Sequence, residues 1–143
     1  MRAQSFTWPE ITADTTVVNW GGHERTYAGK QTRAGEWQVT FTEVYSGEII
    51  EGFKTWCNGF HDYKKGTIST FDKYATTILV NLLKPELYTP TPAGAVAKSI
   101  KLYRCWPTHV AGPDIDPNSS DPVELTVTFH YDYFLVGDEI ETE

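Results

Sequence analysis

"VELTVTFHYDYF", residues 123–134, is the strongest strand signal in the chain. Val123, Leu125, Val127, Phe129, Tyr131 and Tyr133 point one way, while Glu124, Thr126, Thr128, His130 and Asp132 point the other. A strict period of two with β-branched and aromatic residues is the mark of a strand with one buried and one wetted face. "EWQVTFTE", 36–43, repeats the pattern with Trp37, Val39 and Phe41 against Gln38, Thr40 and Thr42. Two strands of this kind imply a sandwich or barrel whose apolar faces meet and whose Thr-rich faces meet water or a partner.

The rest of the chain fits around them. "KYATTILVNLL", 73–83, reads as a further strand, and in "KSIKLYRCW", 98–106, Ile100, Leu102 and Trp106 alternate against Lys101 and Tyr103. "TTVVNW" (15–20), Gly21-Gly22 and "ERTYAG" (24–29) read as a hairpin, with the glycines supplying positive φ in the turn. One segment has helical period: in 46–60, Ile49, Ile50, Phe53, Trp56, Cys57 and Phe60 recur on one face, with Ser46 as the expected N-cap and Gly59 near the end. The three prolines of 85–95 make an exposed loop. The fold expected is mainly β with one α-helix, an antiparallel sandwich or barrel. Residues 1–136 form one domain, and 137–143 a frayed acidic tail.

A chain of 143 residues suits one domain. No run of 18 apolar residues is present, and "MRAQSFTWPE" has no apolar signal-peptide core. Two cysteines, Cys57 and Cys105, read as free thiols of a protein made in a reducing cytoplasm. The net charge is −7, and no Lys or Arg follows Arg104. The final segment instead carries Asp114, Asp116, Asp121, Glu124, Asp132, Asp138, Glu139, Glu141 and Glu143. Tight nucleic-acid binding needs cations that displace counterions from phosphate, so this charge pattern argues against it.

Candidate chemistry is sparse. Asp114, Asp116 and Asn118 match positions 1, 3 and 5 of a calcium loop, but the required Gly is Ser119 and the closing Glu is Leu125. Pro113, Pro117 and Pro122 interrupt the wrapping, so "PDIDPNSSDP" reads as consecutive turns built by Asp, Asn and Ser side chains. His23, His61, His109 and His130 show no metal-ligand spacing, and neither cysteine has a CxxC partner. His61-Asp62 could be half of a catalytic pair, but no nucleophile elbow accompanies it. No phosphate-binding Gly-rich motif opens a helix. The expectation is a non-enzyme without metal or cofactor.

The ordered set of pieces resembles the tail tube protein family of contractile-tailed bacteriophages. "SFTWPEI" resembles the family's early strand ending at a proline. "VVNWGGHERTYAGKQTRAGEWQVTFTE" resembles its hairpin and following strand, with Gly29, Trp37, Val39, Thr40 and Phe41 on the signature. Helix 46–60 resembles its long helix. In the last part, Trp106, Pro107, Thr108, Asp116, Ser119, Asp121, Val123, Thr128, Tyr131, Asp132 and Tyr133 occupy motif positions. The resemblance covers roughly residues 3–135. The family usually begins with one more strand, so either the sheet is one strand shorter here or Met1 is internal to a longer product, the second being the reading preferred.

The resemblance implies hexameric rings that stack into a hollow tube, with the sheets of neighbours joined around the lumen. It implies a virion-tail protein made in the bacterial host cytoplasm. The implied partners are further copies, the tail sheath, the tape-measure protein, and baseplate and tail-terminator proteins. Double-stranded DNA would pass without specific binding, and no membrane is involved. Gln38, Thr40, Thr42, Glu124, Thr126 and Thr128 would line the lumen, a neutral to acidic wall that does not grip phosphate. Val18, Trp20, Gly21, Gly22, His23, Arg25 and Tyr27 would form the ring-to-ring contact.

Three rivals compete with this reading: the tube of a phage-like injection or secretion system, a baseplate tube-initiator, and a monomeric β-sandwich binding module using Trp8 or Trp20. The turn reading of 113–122 has a direct check. Adding EDTA should leave the thermal midpoint unchanged, and a drop on chelation would restore the calcium reading.

Overall fold

The computed structural model describes residues 3–43, 46–83 and 96–141. In chain order the elements are β1 (Ala3–Phe6), β2 (Thr12–Trp20), β3 (His23–Thr32), β4 (Gly35–Thr42), α1 (Glu48–Phe60), β5 (His61–Asp62), β6 (Thr67–Ile68), α2 (Phe71–Tyr74), β7 (Thr76–Leu83), β8 (Val96–Val110), β9 (Glu124–Tyr131), β10 (Tyr133–Val136) and α3 (Asp138–Glu141). The expected loop 85–95 lies outside the described residues.

All strand pairs are antiparallel, and the main sheet runs β1-β4-β9-β8-β10, with β7 also on β8. One ribbon organises it. β8 pairs with β9 through Trp106↔His130 and Pro107↔Phe129, and in the same register with β10 through Tyr103↔Tyr133 down to Ile100↔Val136. Between these stretches the ribbon bends. Arg104 takes a left-handed φ of 55°, the Asp132 amide donates to the Tyr103 carbonyl at 3.1 Å, and Arg104 pairs with Asp132 at 3.3 Å. The guanidinium also lies 4.4 Å from the Phe71 ring centroid. A non-glycine residue with positive φ is held only where its surroundings over-determine it, and these three contacts do so.

The bend gives one end of the ribbon to β4 and β1, and the other to β7. The inner faces share a single core. Trp37, Val39, Phe41, Leu125, Val127, Phe129 and Tyr131 come from one limb; Ile100, Leu102 and Phe134 from the other. The bend also corrects two expectations. Past Arg104 the buried positions of β8 switch from Ile100 and Leu102 to Cys105 and Pro107, so Trp106 lies on the opposite face from the one its spacing implied. Past Asp132 the buried residue is Phe134, and Tyr133 turns outward to stack on Tyr103 at 4.5 Å.

Helix α1 starts one residue later than its expected cap implies. Gly47, at φ 71°, takes the cap position, and Ser46 contributes no side-chain cap. The free amides of Ile49 and Ile50 donate instead to the Glu43 carboxylate, at 3.2 and 2.9 Å, where it also complements the helix dipole. The helix runs through Gly59 to Phe60. Its apolar face docks as its spacing implied: Phe53 is buried between Phe41 and Phe129, at 5.5 and 5.7 Å, and Trp56 lies 5.9 Å from Phe129. The Trp56 indole donates to the Tyr74 carbonyl at 2.8 Å, tying α1 to α2. Lys73 and Tyr74, read as strand, belong to α2 because the strand begins only at Thr76.

Phe129 touches Trp37, Phe53 and Trp56, so it links the sheet to the helix. Phe129→Ala should lower the unfolding free energy by about 3–5 kcal/mol, measured by denaturant titration.

Candidate functional site

Among the described residues, reactive groups do not converge. Among the described residues no set of three His, Cys, Asp or Glu side chains could hold a metal. In 113–122 the Asn118 amide donates to Asp116 Oδ1 at 2.9 Å, and the Asp121 amide to Ser119 Oγ at 3.1 Å. Ser119 Oγ in turn donates to Asp121 Oδ2 at 3.0 Å. Asp116 and Ser119 are turn builders, as their spacing implied. Asp62 likewise accepts the amides of Lys64 and Lys65 rather than orienting His61. Burial pushes the Cys105 thiol up to about 12, with the Asp132 carboxylate adding to the effect. A thiol so held is a small hydrophobe, not a nucleophile.

Two exposed surfaces remain. The first is the outer face of β4 and β9. Gln38 lies opposite Thr128, Thr40 opposite Thr126, and Thr42 opposite Glu124. The six residues named as a lumen wall thus form one continuous grid. Thr40 and Thr126 hydroxyls are 3.3 Å apart, Thr42 Oγ1 donates to Gln4 Oε1 at 3.2 Å, and Thr108 Oγ1 donates to the Thr128 carbonyl at 3.1 Å. The grid holds no cation. Among the described residues β1 pairs only with β4 and the outer half of β8 only with β9, so the grid ends there on strand edges.

The second surface is the β2–β3 hairpin, a separate two-stranded sheet exposed along nearly its whole length. Gly21 and Gly22, at φ 59° and 77°, make the two-residue turn that the sequence pointed to. Its pairs are Thr16↔Tyr27, Val18↔Arg25 and Trp20↔His23. Cross-strand partners share a face, so Val18, Trp20, His23, Arg25 and Tyr27 come together on one side of the ribbon. Trp20 is 86% exposed. At Gly29 a side chain would meet the Asp14 carbonyl at 3.1 Å, so the strands close tightly there.

The hairpin is fastened at its base by residues the sequence reading missed. Arg33 donates to both carboxylate oxygens of Glu139, at 3.0 and 3.2 Å, and to the Phe134 carbonyl at 3.3 Å. Glu139 Oε2 also accepts the Val136 amide at 3.2 Å. The Arg33 bond holds the Glu139 carboxyl below its ordinary range and raises the guanidinium. On the incoming strand side, the Glu10 backbone hydrogen-bonds to Tyr131, whose hydroxyl is raised first by burial. Within the acidic end expected to fray from 137, Asp138–Glu141 form a helical turn, α3, held by Glu139. No local pattern couples Arg33 to a residue 106 positions away.

A sheet with a polar, cation-free outer grid and a projecting hairpin suits self-assembly into a wall. The family model described as phage tail tube protein matches residues 1–137. The chain belongs to the phage tail tube protein family. Its role is structural. Similar folds occur in solved structures of contractile injection machines. The tube-terminating cap of the anti-feeding prophage aligns with TM-score 0.68 at 17% identity, over 95% of this chain and 80% of that one. The sheath/tube terminator of the PVC extracellular contractile injection system gives 0.66 at 16%, over 95% and 85%. Its sheath–tube complex gives 0.66 at 16%, over 95% and 80%. At these identities the likeness is one of fold. No curated protein sequence matches the chain.

Other residues that the resemblance singled out belong to the frame. Trp37, Pro107 and Tyr131 are buried, and Asp132 makes the bend. Trp106, half-buried, packs on Phe60, Tyr74 and His130.

Glu139 is ionised at neutral pH, so its bonds persist above the ordinary carboxylate range and are lost as pH falls through its lowered value. Glu139→Gln should therefore reduce hydrogen-exchange protection of the Val136 amide at neutral pH to what the unaltered protein shows in acid. The core strand β9 should keep its protection in both.

Proposed function

We propose that six copies of this chain form a ring, that rings stack into the tail tube, and that the tube conducts the genome from capsid to host. The polar grid Gln38/Thr128, Thr40/Thr126, Thr42/Glu124 carries this reading, with its open strand edges to either side. Joined edge to edge, such sheets satisfy the unpaired backbone at both ends and leave a continuous wall. A wall without cations releases no counterions from DNA, so the duplex slides rather than binds. The proposed lumen residues are those six. The proposed ring-to-ring contact is the hairpin face of Val18, Trp20, His23, Arg25 and Tyr27, with Gly21-Gly22 at its tip.

The proposal extends to partners: a contracting sheath around the tube, a tape-measure protein within it, and baseplate and terminator proteins at its ends. Sheath–tube, terminator and baseplate assemblies are what the similar folds come from. The protein would act in the virion tail, synthesised in the host cytoplasm, without catalysis or cofactor. Those same assemblies favour a second reading, the tube of a contractile injection system, which differs in its cargo rather than its wall.

Deleting Gly21–Arg25 should leave single protomers or short rings by negative-stain microscopy. Full-length tubes from that variant would exclude the hairpin as the main ring contact. A ring structure with the Thr40/Thr126 grid buried between subunits would exclude it as lumen wall.

A further inference from the structure

The β2–β3 hairpin reaches away from the body and touches little of it. β2 has nine residues and β3 ten, and both are exposed along nearly their whole length. Among the described residues the two strands pair with each other and pack against no other element to any extent. At about 3.3 Å per residue the arm is about 30 Å long, so a rotation of about 10° at its base moves its tip about 5 Å. That shift exceeds the roughly 4.5 Å within which two side chains touch. The direction of the arm therefore decides whether Trp20, beside the tip, meets a neighbour at all.

That direction is set where the arm joins the body. On the incoming side Pro9 is buried, and the Glu10 backbone bonds to Tyr131. On the outgoing side only Arg33 and Ala34 separate β3 from β4. Arg33 meets Glu139 through two bonds, meets the Phe134 carbonyl through a third, and lies 5.8 Å from the Phe134 ring centroid. Phe134 belongs to the core, and Glu139 is itself fixed by the Val136 amide. A lone exposed ion pair contributes little to stability. A planar guanidinium held by two carboxylate oxygens and a carbonyl, however, keeps one orientation. The family match ends at residue 137, so α3 and Glu139 are not part of what it accounts for.

We propose that α3 is a strap for the hairpin: Glu139 grips Arg33 and so fixes the angle at which the arm leaves the body, presenting Trp20 to the next copy in one direction. Arg33 and Glu139 belong to neither the proposed lumen wall nor the proposed ring contact. They act through the arm, as positioning residues. An arm already fixed loses less freedom when a neighbour covers it, so the same contact holds more tightly. The assembly half of the inference rests on the tube reading above, whereas the strap itself does not.

The test measures the arm's angle on the protomer, below the concentration at which tubes form. Spin labels go on Glu24→Cys in the arm and Lys54→Cys on α1, both exposed positions, in a chain carrying Cys57→Ser. Cys105 is fully buried and stays. Double electron–electron resonance reads the distribution of distances between the labels. Glu139→Ala and Arg33→Ala should each at least double its width. The two together should widen it no further than Arg33→Ala alone, because they break one interaction. Arg33→Lys, which keeps the charge and loses the fork, should fall between. Hydrogen exchange of β9 should match the unaltered chain in every variant that folds, and Glu139→Ala keeps the test open if Arg33→Ala does not fold. An unchanged width in Glu139→Ala overturns the strap and assigns the angle to the short linkers. A double variant as broad as the two singles summed overturns the pairing. In a second arm without labels, Glu139→Ala should raise the concentration needed for tubes at least fivefold. Tubes at the ordinary concentration from an arm shown to be loose overturn the assembly half and leave the tube reading standing. An unaltered chain that forms no tubes at any concentration overturns the tube reading, while the label distances still decide the strap.

Discussion

Arg104 and Asp132 hold the bend on which the other features depend. Without it, β8 and the β9–β10 pair would be one long, straight ribbon with a single inner face. The left-handed backbone at Arg104 costs on the order of 1–3 kcal/mol. The Asp132 carboxylate, the Tyr103 carbonyl and the Phe71 ring offset it. In return the register continues through the bend, and one ribbon supplies strands to both limbs of the structure.

That geometry sets what faces outward. On the β9 limb the alternation leaves Thr126 and Thr128 opposite Thr40 and Gln38, an outer surface of neutral hydrogen-bonding groups. On the β10 limb the reversed alternation exposes Tyr133 and buries Phe134. Phe134 in turn presents its carbonyl to Arg33, and Tyr131, just before the bend, meets the Glu10 backbone. Both connections to the hairpin therefore fasten on the same short stretch of chain. A hairpin with almost no buried surface of its own can hold a direction only through such attachments.

The tail tube role asks for both properties. As proposed, its wall would pass a polyanion without binding it, and its subunits would grip one another. In the tube we propose, the polar neutral residues would serve the first need because they neutralise no phosphate. Exposed Trp20, Val18 and Tyr27 would serve the second, since apolar surface left bare on a protomer is stabilised when a neighbour covers it. The two kinds of surface occupy separate elements, so neither compromises the other.

Local pattern determined a good deal. The period of two in Leu125, Val127 and Phe129, the Gly21-Gly22 turn and the apolar stripe of α1 each depend on neighbours within a few residues, and each stands where the sequence put it. The outer grid was legible too, because alternation assigns both faces at once. What the sequence could not decide were the points where a long-range contact overrides local preference. Trp106 and Tyr133 changed faces because a bend stabilised by Arg104 and Asp132, 28 residues apart in the chain, shifts the alternation. Ser46 lost the helix cap to Glu43, whose carboxylate reaches the free amides only after β4 and α1 have been placed side by side. The hairpin's anchorage through Arg33 and Glu139 exists only once the ribbon is folded. Short-range periodicity is written in adjacent side chains, whereas bends, caps and anchorages form between residues that only the tertiary structure makes neighbours.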